Sequence, residues 1–404
     1  MLYLTQELPD HADTGHKIRT LQLLSAAASE FATTVAGFVD MHAGESQLGR
    51  VLPDVSIISE PQPIRIRRDP MRLAATLGQA YASRRPYSLQ KFSNPRLSAR
   101  LAALSRVDTP DIVFSTVQMS AYLRLFPTAI QVVDAHNIEH RLWESFRLDR
   151  WLARCVARRE GRYLAALETR LWRECAGVVA ICREDAEIVH EAAANTMTVV
   201  IPPWARPPTG SSSTLAQADV GLLGVWSWAP NEAALEVVAQ QLAPELAARG
   251  VTLRVSGPGV SESMQRRLLR LGVDVTGYLP QLSSFYDSVD QILAPYWEGG
   301  GVRLKVLEAI ACGKPVVGTP LAFRGILGAA EHAKGDTPSC LVQQVLANKA
   351  GLGAARMRAR ALREQVTALH CPRKSGETLV AFFGSLLADR EARAARSATS
   401  LRRT

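Results

Sequence analysis

The chain predicts two doubly wound α/β domains, and three observations carry the prediction. Short apolar runs of strand type alternate with helical runs in both halves. A stretch rich in Pro and Ser parts the halves, and polar or glycine-rich loops recur where the apolar runs end. At 404 residues, 47% of them hydrophobic, the chain exceeds the usual size of one domain.

The first half opens with a short strand, Leu2 to Thr5, a loop from Pro9 to Lys17, and a helix through Ile18, Leu21, Leu24 and Ala28. Thr33 to Val39 reads as a second strand; Val55 to Ser59 and Pro63 to Arg67 mark a third region cut by prolines. Arg72 to Tyr81 has helical spacing, Pro86 to Phe92 reads as irregular and extended, and Pro95 to Leu104 as helix. Asp111 to Val117 is a strand of buried type, and Ala129 to Val133 another, ending in the polar run Asp134 to His140. Ligands of open parallel sheets bind beyond the carboxyl ends of the strands, so His136 and Asn137 are site candidates, with Glu139 and His140 behind them. A loop-stabilising role for the same polar groups stays open. Leu142 to Glu174 reads as one or two amphipathic helices with a basic face, then strands fall at Gly177 to Ile181 and Thr198 to Ile201.

Two Pro-Pro pairs and a Thr-Gly-Ser-Ser-Ser-Thr run then mark a linker, so we divide the chain into 1–203, a linker over 204–216, and 217–372. The second half restarts with a strand from Val220 to Val225, a Ser-Trp-x-Pro-Asn loop and a helix from Glu232 to Gln240, with Asn231 read as its cap. Val251 to Ser256 leads into Gly257-Pro-Gly259, and Val273 to Thr276 into Gly277-Tyr-Leu-Pro280.

The most informative stretch runs from Glu298 to Pro320. A strand at Gln291 to Ala294 leads into Gly299, Gly300 and Gly301, and a helix is expected to start near Val302. Glycines let the main chain approach a ligand, and a helix start offers unpaired N–H groups and a positive dipole end, which suit a phosphate. Arg303 and Lys305 add positive charge, and Glu308 shares a helix face with Lys305. The helix is expected to stop at Cys312-Gly313, with Lys314 to Pro320 following as a short buried strand.

That stretch resembles the donor-site signature of GT-B glycosyltransferases, specifically glycosyltransferase family 4 in its glycine-rich Arg-x-Lys-x-x-Glu sub-branch. The resemblance covers nearly the whole chain and is strongest from Gly221 to Pro320 and around Asp134 to Asn137. It implies a GT-B fold, two Rossmann-like domains facing across a cleft, with an acceptor-side first domain and a nucleotide-sugar-binding second. It implies that Arg303 and Lys305 hold the donor diphosphate, that Glu308 holds the ribose, and that Tyr278 or Leu279 lies beside the base. Gly257, Val302 and the amides of Gly299 to Gly301 join the donor site, and His136, with Asn137, lines the acceptor side near the donor sugar. His136, Arg303 and Lys305 are the implied catalytic residues. Gly15, Lys17 and Arg19 remain from a glycine loop that closes over phosphates, with His16 at its second glycine; a plain helix entry capped by Thr14 is the alternative. The family's second Glu, eight residues before Glu308, is replaced by Gly300, with Glu298 two residues further out. The family's usual basic pair is missing from the Ser-Trp-x-Pro-Asn loop, which throws more of the phosphate binding onto Arg303 and Lys305.

The implied reaction moves a sugar, hexosyl in type, from a nucleotide-diphosphate sugar to a glycan or lipid-linked acceptor, with retention and without metal, in polysaccharide or glycoconjugate synthesis. The nucleotide sugar is a co-substrate; no cofactor is expected. A non-hydrolysing nucleotide-sugar epimerase and a non-catalytic nucleotide-sugar-binding protein are the alternatives. The final helix, 373–390, is expected to cross back to the first domain, and the tail 391–404 to be disordered.

Composition bounds the partners. The formal charge of +9 favours acidic partners, but the basic residues form no compact block with interleaved aromatics, which argues against nucleic acid. The basic face within 142–174 makes an anionic membrane surface a candidate partner. Six scattered cysteines match neither a zinc nor a redox spacing, and no signal-type or membrane-spanning run is visible, so a cytoplasmic protein, at most at the inner face of the membrane, is expected.

Overall fold

The structure is a computed structural model, describing all residues except 11–13, 40–47, 62–69, 147–150, 206–215, 280, 333–334 and 402–404. The expected elements at Pro63 to Arg67, most of the linker, and Pro280 lie outside the described residues. The chain divides into two compact units: Met1–Glu144, Asp149–Pro202 and Pro372–Thr404 form the first, and Ser145–Leu148 with Pro203–Cys371 the second.

The first unit is built on seven strands: β1 (Leu2–Leu4), β2 (Thr34–Val39), β3 (Ser56–Pro61), β4 (Ile112–Thr116), β5 (Ile130–Ala135), β6 (Gly177–Ala180) and β7 (Met197–Val200). They lie in the order β3-β2-β1-β4-β5-β6-β7, and every pairing is parallel. Helices cover both faces, so strand residues of both parities are apolar: Leu2 and Leu4 join one buried cluster while Tyr3 joins the other.

The C-terminal helix Pro372–Leu401 belongs to this unit, where Leu379, Phe382, Phe383 and Leu386 pack in the cluster of Tyr3 and Phe114. The ring of Phe383 meets that of Phe114 edge-on at 5.4 Å. The expected disorder from Glu391 is corrected: helix continues to Leu401. Ala and Arg are strong helix formers, and the anchored apolar turns before them supply the nucleus.

A second correction concerns Pro86 to Phe92, which contains a helix, Tyr87–Lys91. It is too short to stand alone. Its amides are met instead by a distant acid: Tyr87 N and Ser88 N donate to the two carboxylate oxygens of Glu160 at 2.7 and 2.8 Å. Leu142 to Glu174 resolves into two helices, Glu139–Ser145 and Trp151–Glu174, and Glu160 and Glu168 lie on the buried face of the second.

The second unit carries β8 (Ala218–Leu223), β9 (Leu253–Ser256), β10 (Asp274–Gly277), β11 (Val289–Ala294) and β12 (Val316–Gly318), in the parallel order β10-β9-β8-β11-β12. The strand order reverses between β8 and β11, where an open parallel sheet leaves a crevice at its carboxyl edge. Two loops flank that point: the Ser-Trp-x-Pro-Asn loop after β8 and the three glycines after β11. Late in the unit, buried His370 uses both ring nitrogens: Nδ1 donates to Pro203 O at 2.6 Å and Nε2 accepts from Leu327 N at 2.9 Å.

Candidate active site

The glycine loop of the second unit is shaped by its own arginine. Gly299 has φ +108° and Gly301 φ +65°, values that side-chain-bearing residues seldom adopt. A Cβ on Gly299 would stand 2.5 Å from Arg303 Nη2. The guanidinium occupies that space because Nη1 donates to Gly300 O at 2.6 Å and Nη2 to Glu298 O at 2.7 Å. The ring of Tyr296 lies 5.3 Å away. Burial, and then the charge of Arg324, lower the arginine's pKa, yet a guanidinium keeps its proton. The helix starts at Leu304 with Arg303 at its cap position, so the expected start at Val302 is corrected and Val302 stays in the loop. The Gly299 N–H donates to Ser145 Oγ at 3.0 Å, within the same unit.

Lys305 follows in the first helical turn. Its Nζ donates to Asn231 Oδ1 at 3.1 Å and faces the rings of Tyr296 and Trp226, 4.7 and 5.9 Å away. The Asn231 amide donates in turn to Val225 O at 2.9 Å, which fixes its oxygen toward the lysine. Asn231 therefore is not a helix cap: its helix, Ala229–Val237, begins earlier in the chain, with Trp228 at the cap position. Gly224 leaves room for the ammonium, since a Cβ there would meet Nζ at 3.3 Å. Burial, reinforced by Arg303, brings the Lys305 pKa down to about 7. Glu308, one turn on, lies 3.5 Å from the Tyr286 hydroxyl, which also reaches Lys305 O at 3.3 Å, and burial lifts the Glu308 pKa to about 7.

The neighbouring loops are held by glycines as well. Gly257 has φ +110°, and a Cβ there would lie 1.9 Å from Gly224 O, so no other residue fits. Its N–H donates to Gly277 O at 2.6 Å, which ties the loop after β9 to the one after β10. On that second loop Tyr278 is 69% exposed, an open ring face, whereas Leu279 packs beside the cluster of Phe285 and Tyr286. Sequence reasoning missed Tyr286, Trp226 and Tyr296, which carry no motif.

In the first unit His136 follows β5. Its Nδ1 lies 2.9 Å from Asp134 Oδ2, a contact bent away from a straight N–H···O line, and Nε2 lies 3.4 Å from both Thr20 Oγ1 and His16 O. Asp134 is the penultimate residue of β5, fully buried, and also accepts from the Tyr3 hydroxyl. Against the penalty of burial, His136, and then Arg19 and the Tyr3 hydroxyl, hold its carboxyl below the usual range. Gly15 opens the helix Gly15–Ala28 at the surface. Arg19 turns inward, 1% exposed, and donates to Ile201 O, so it is a core residue of this unit. His16 pairs with Glu7 at 3.1 Å. Asn137 hydrogen-bonds the Glu139 carboxyl, whose pKa burial and the nearby Glu168 charge lift to about 7. Thus Gly15, His136 and Asn137 share the carboxyl edge of one sheet, and the remaining predicted residues gather at the edge of the other. Among the described residues no three His, Cys, Asp or Glu side chains group as a metal ion would need.

Residues 217–348 match the family model described as Glycosyl transferases group 1. No curated protein matches the chain. Among solved structures, HepE of Anabaena, bound to UDP and glucose, is similar over 95% of this chain and 99% of its own, with a TM-score of 0.64 and 14% identity. WaaG, a glycosyltransferase involved in lipopolysaccharide biosynthesis, is similar over 94% of this chain and 99% of its own, with a TM-score of 0.62 and 14% identity. A mutant of TarM from S. aureus, bound to Fondaparinux, alpha-GlcNAc-glycerol and UDP, is similar over 96% of this chain and 99% of its own, with a TM-score of 0.61 and 9% identity. At these identities the likeness is one of architecture: the chain has the GT-B fold, two Rossmann-like units, the second of which carries the glycosyl transferases group 1 segment.

Proposed function

We propose that the protein is a retaining glycosyltransferase that moves a sugar from a nucleotide-diphosphate sugar to a glycan or lipid-linked acceptor without a metal ion, in polysaccharide or glycoconjugate synthesis. One observation carries the reading: Arg303 and Lys305 are brought to a glycine loop at the strand-order switch, and among the described residues no carboxylate lies within ion-pair distance of either. Such a pair of cations suits a diphosphate, and stabilising a leaving diphosphate is the main demand of the chemistry. Glu308, beside Tyr286, offers its carboxylate to ribose hydroxyls, and Tyr278 offers an open ring to the base. That solved relatives in fold hold UDP or UDP-glucose supports a uridine donor.

The first unit then supplies the acceptor side through His136 and Asn137. We also infer that it works in the cytoplasm at an anionic membrane surface. The start of the helix Trp151–Glu174 exposes Trp151, Leu152 and Val156 beside Arg154 and Arg158, an apolar and basic combination that suits lipid headgroups. Among the described residues no helix is long and apolar enough to cross a membrane.

Calorimetry with UDP-, GDP- and ADP-sugars in the presence of a chelator tests the donor role, on the wild type and on Lys305→Ala. Binding of one donor class that weakens in the variant supports it; binding of none removes the transferase reading. Turnover with an acceptor, rather than interconversion of the donor, separates transfer from epimerisation.

A further inference from the structure

We propose that Asp134 and Tyr3 are positioning residues that hold the His136 ring with its proton on Nδ1, so that the bare Nε2 is the atom presented to a ligand hydroxyl. Only the identity of that hydroxyl rests on the transferase reading. The ring state itself is a property of the free protein.

Asp134 is a carboxylate 1% exposed in the middle of a sheet, and such a charge is costly unless it is answered. Three groups answer it: the Tyr3 hydroxyl donates to Oδ2, Arg19 adds an inward positive charge, and His136 Nδ1 lies 2.9 Å from the same oxygen. Tyr3 and Arg19 are shut inside the core, at 0% and 1% exposure. His136, at 9%, is the most exposed of the four, so it is the member through which the buried charge acts on anything outside.

The two ring nitrogens see different surroundings. Nδ1 faces an ionised carboxylate, which accepts but cannot donate, so a proton on Nδ1 is favoured. Nε2 faces a Thr20 hydroxyl, which can donate to it, and the His16 carbonyl, which can only accept; both lie at 3.4 Å, against 2.9 Å between Nδ1 and the charged Asp134 carboxylate, so the nearer and stronger acceptor is at Nδ1. A ring with its proton on Nδ1 leaves Nε2 as an acceptor at the carboxyl end of β5. Tyr3 matters because its hydroxyl and His136 share Oδ2, which holds the carboxylate in one rotamer. An amide in place of Asp134 could donate to Nδ1 and drive the proton to Nε2, which would reverse the polarity of the atom shown to the ligand.

The test reads the tautomer directly, with no substrate present. Full-length protein labelled with nitrogen-15 histidine is examined at pH 8 by long-range proton–nitrogen correlation, and the His136 signals are identified by their loss in His136→Gln. The expected spectrum shows a protonated Nδ1 and a bare Nε2 in the wild type. An Nε2-protonated ring, or a ring protonated on both nitrogens, overturns the proposal, and each of these results stands whether or not any nucleotide sugar binds. Asp134→Asn is expected to move the proton to Nε2; an unchanged tautomer there also overturns it. Because that variant alters a buried charge, Tyr3→Phe is the gentler second: it keeps the Nδ1 proton, and with a donor in hand it lowers kcat by about tenfold while the donor Kd stays the same. A Tyr3→Phe enzyme with wild-type kcat would remove Tyr3 from the relay.

Discussion

Buried charge is handled in opposite ways by the two units. In the first, Glu168 is 0% exposed and its oxygens are filled: Glu139 N, His140 N and His140 Nδ1 donate to it at 2.8, 3.0 and 2.7 Å. Glu160 is answered in the same manner by Tyr87, Ser88 and the Ser88 hydroxyl. These carboxylates cap helices whose own sequences provide no cap, and the positive ends of those helices meet a full negative charge. In the second unit, Arg303 and Lys305 are braced by loop carbonyls, an amide oxygen and aromatic rings, and among the described residues by no ion pair. The first arrangement is finished without a ligand. The second holds its basic side chains in place with no carboxylate ion-paired to either among the described residues, an arrangement that suits an arriving anion. Removing a charge should therefore cost fold in one unit and function in the other.

The largest effect is expected at Glu168. Glu168→Ala strands two helix amides and the His140 ring in a buried setting, and should lower unfolding free energy by about 3 to 5 kcal/mol. Urea unfolding measures it. A loss below about 1 kcal/mol would mean that the carboxylate is dispensable and that the contrast between the units is false.

Lys305 is the counterpart. Lys305→Met removes a cation that burial and Arg303 already strain, so stability should hold or rise, as it does when a functional site is traded for packing. Donor affinity should fall about 100-fold, the worth of a charge-assisted contact to phosphate at roughly 2.7 kcal/mol. Thermal unfolding and calorimetry on the same sample decide. A variant that loses stability and keeps its affinity would make Lys305 a scaffold residue.

The same contrast explains what the sequence can and cannot show. Strands buried on both faces write themselves as continuous apolar runs, and the glycine loop writes itself as three glycines before a helix, so the fold and the place of Arg303, Lys305 and Glu308 are legible. Contacts that depend on chain distant in sequence are not. Glu160 caps a helix 73 residues earlier, and nothing near Pro86 announces it, so that helix reads as irregular. Arg19 sits in a helix with polar neighbours and looks like a phosphate ligand; only its neighbours in space, Ile201, Tyr3 and Asp134, show that it points inward. Asn231 looks like a cap because caps are local, whereas its lysine partner is 74 residues away.

The smallest effect sharpens the comparison most, because it counts protons rather than stability alone. Lys305 has a folded pKa of about 7 against 10.5 for the free side chain, so between those values the unfolded chain holds more protons and the lysine's contribution to stability rises with pH. Glu308 is the mirror case: its pKa rises from 4.5 to about 7, the folded chain holds more protons in that window, and its contribution falls as pH climbs through it. The two together predict a minimum in stability near neutrality. An arriving diphosphate favours the charged lysine, so binding at pH 8 should draw in up to about one proton per donor, and affinity should weaken as pH rises beyond neutrality. Calorimetry in buffers of different ionisation heat measures the uptake. Lys305→Met should abolish it. A donor that binds at pH 8 with no proton taken up would mean that Lys305 is already charged in the free protein, and the picture of a lysine that burial keeps largely neutral at that pH until its anion arrives would have to be given up.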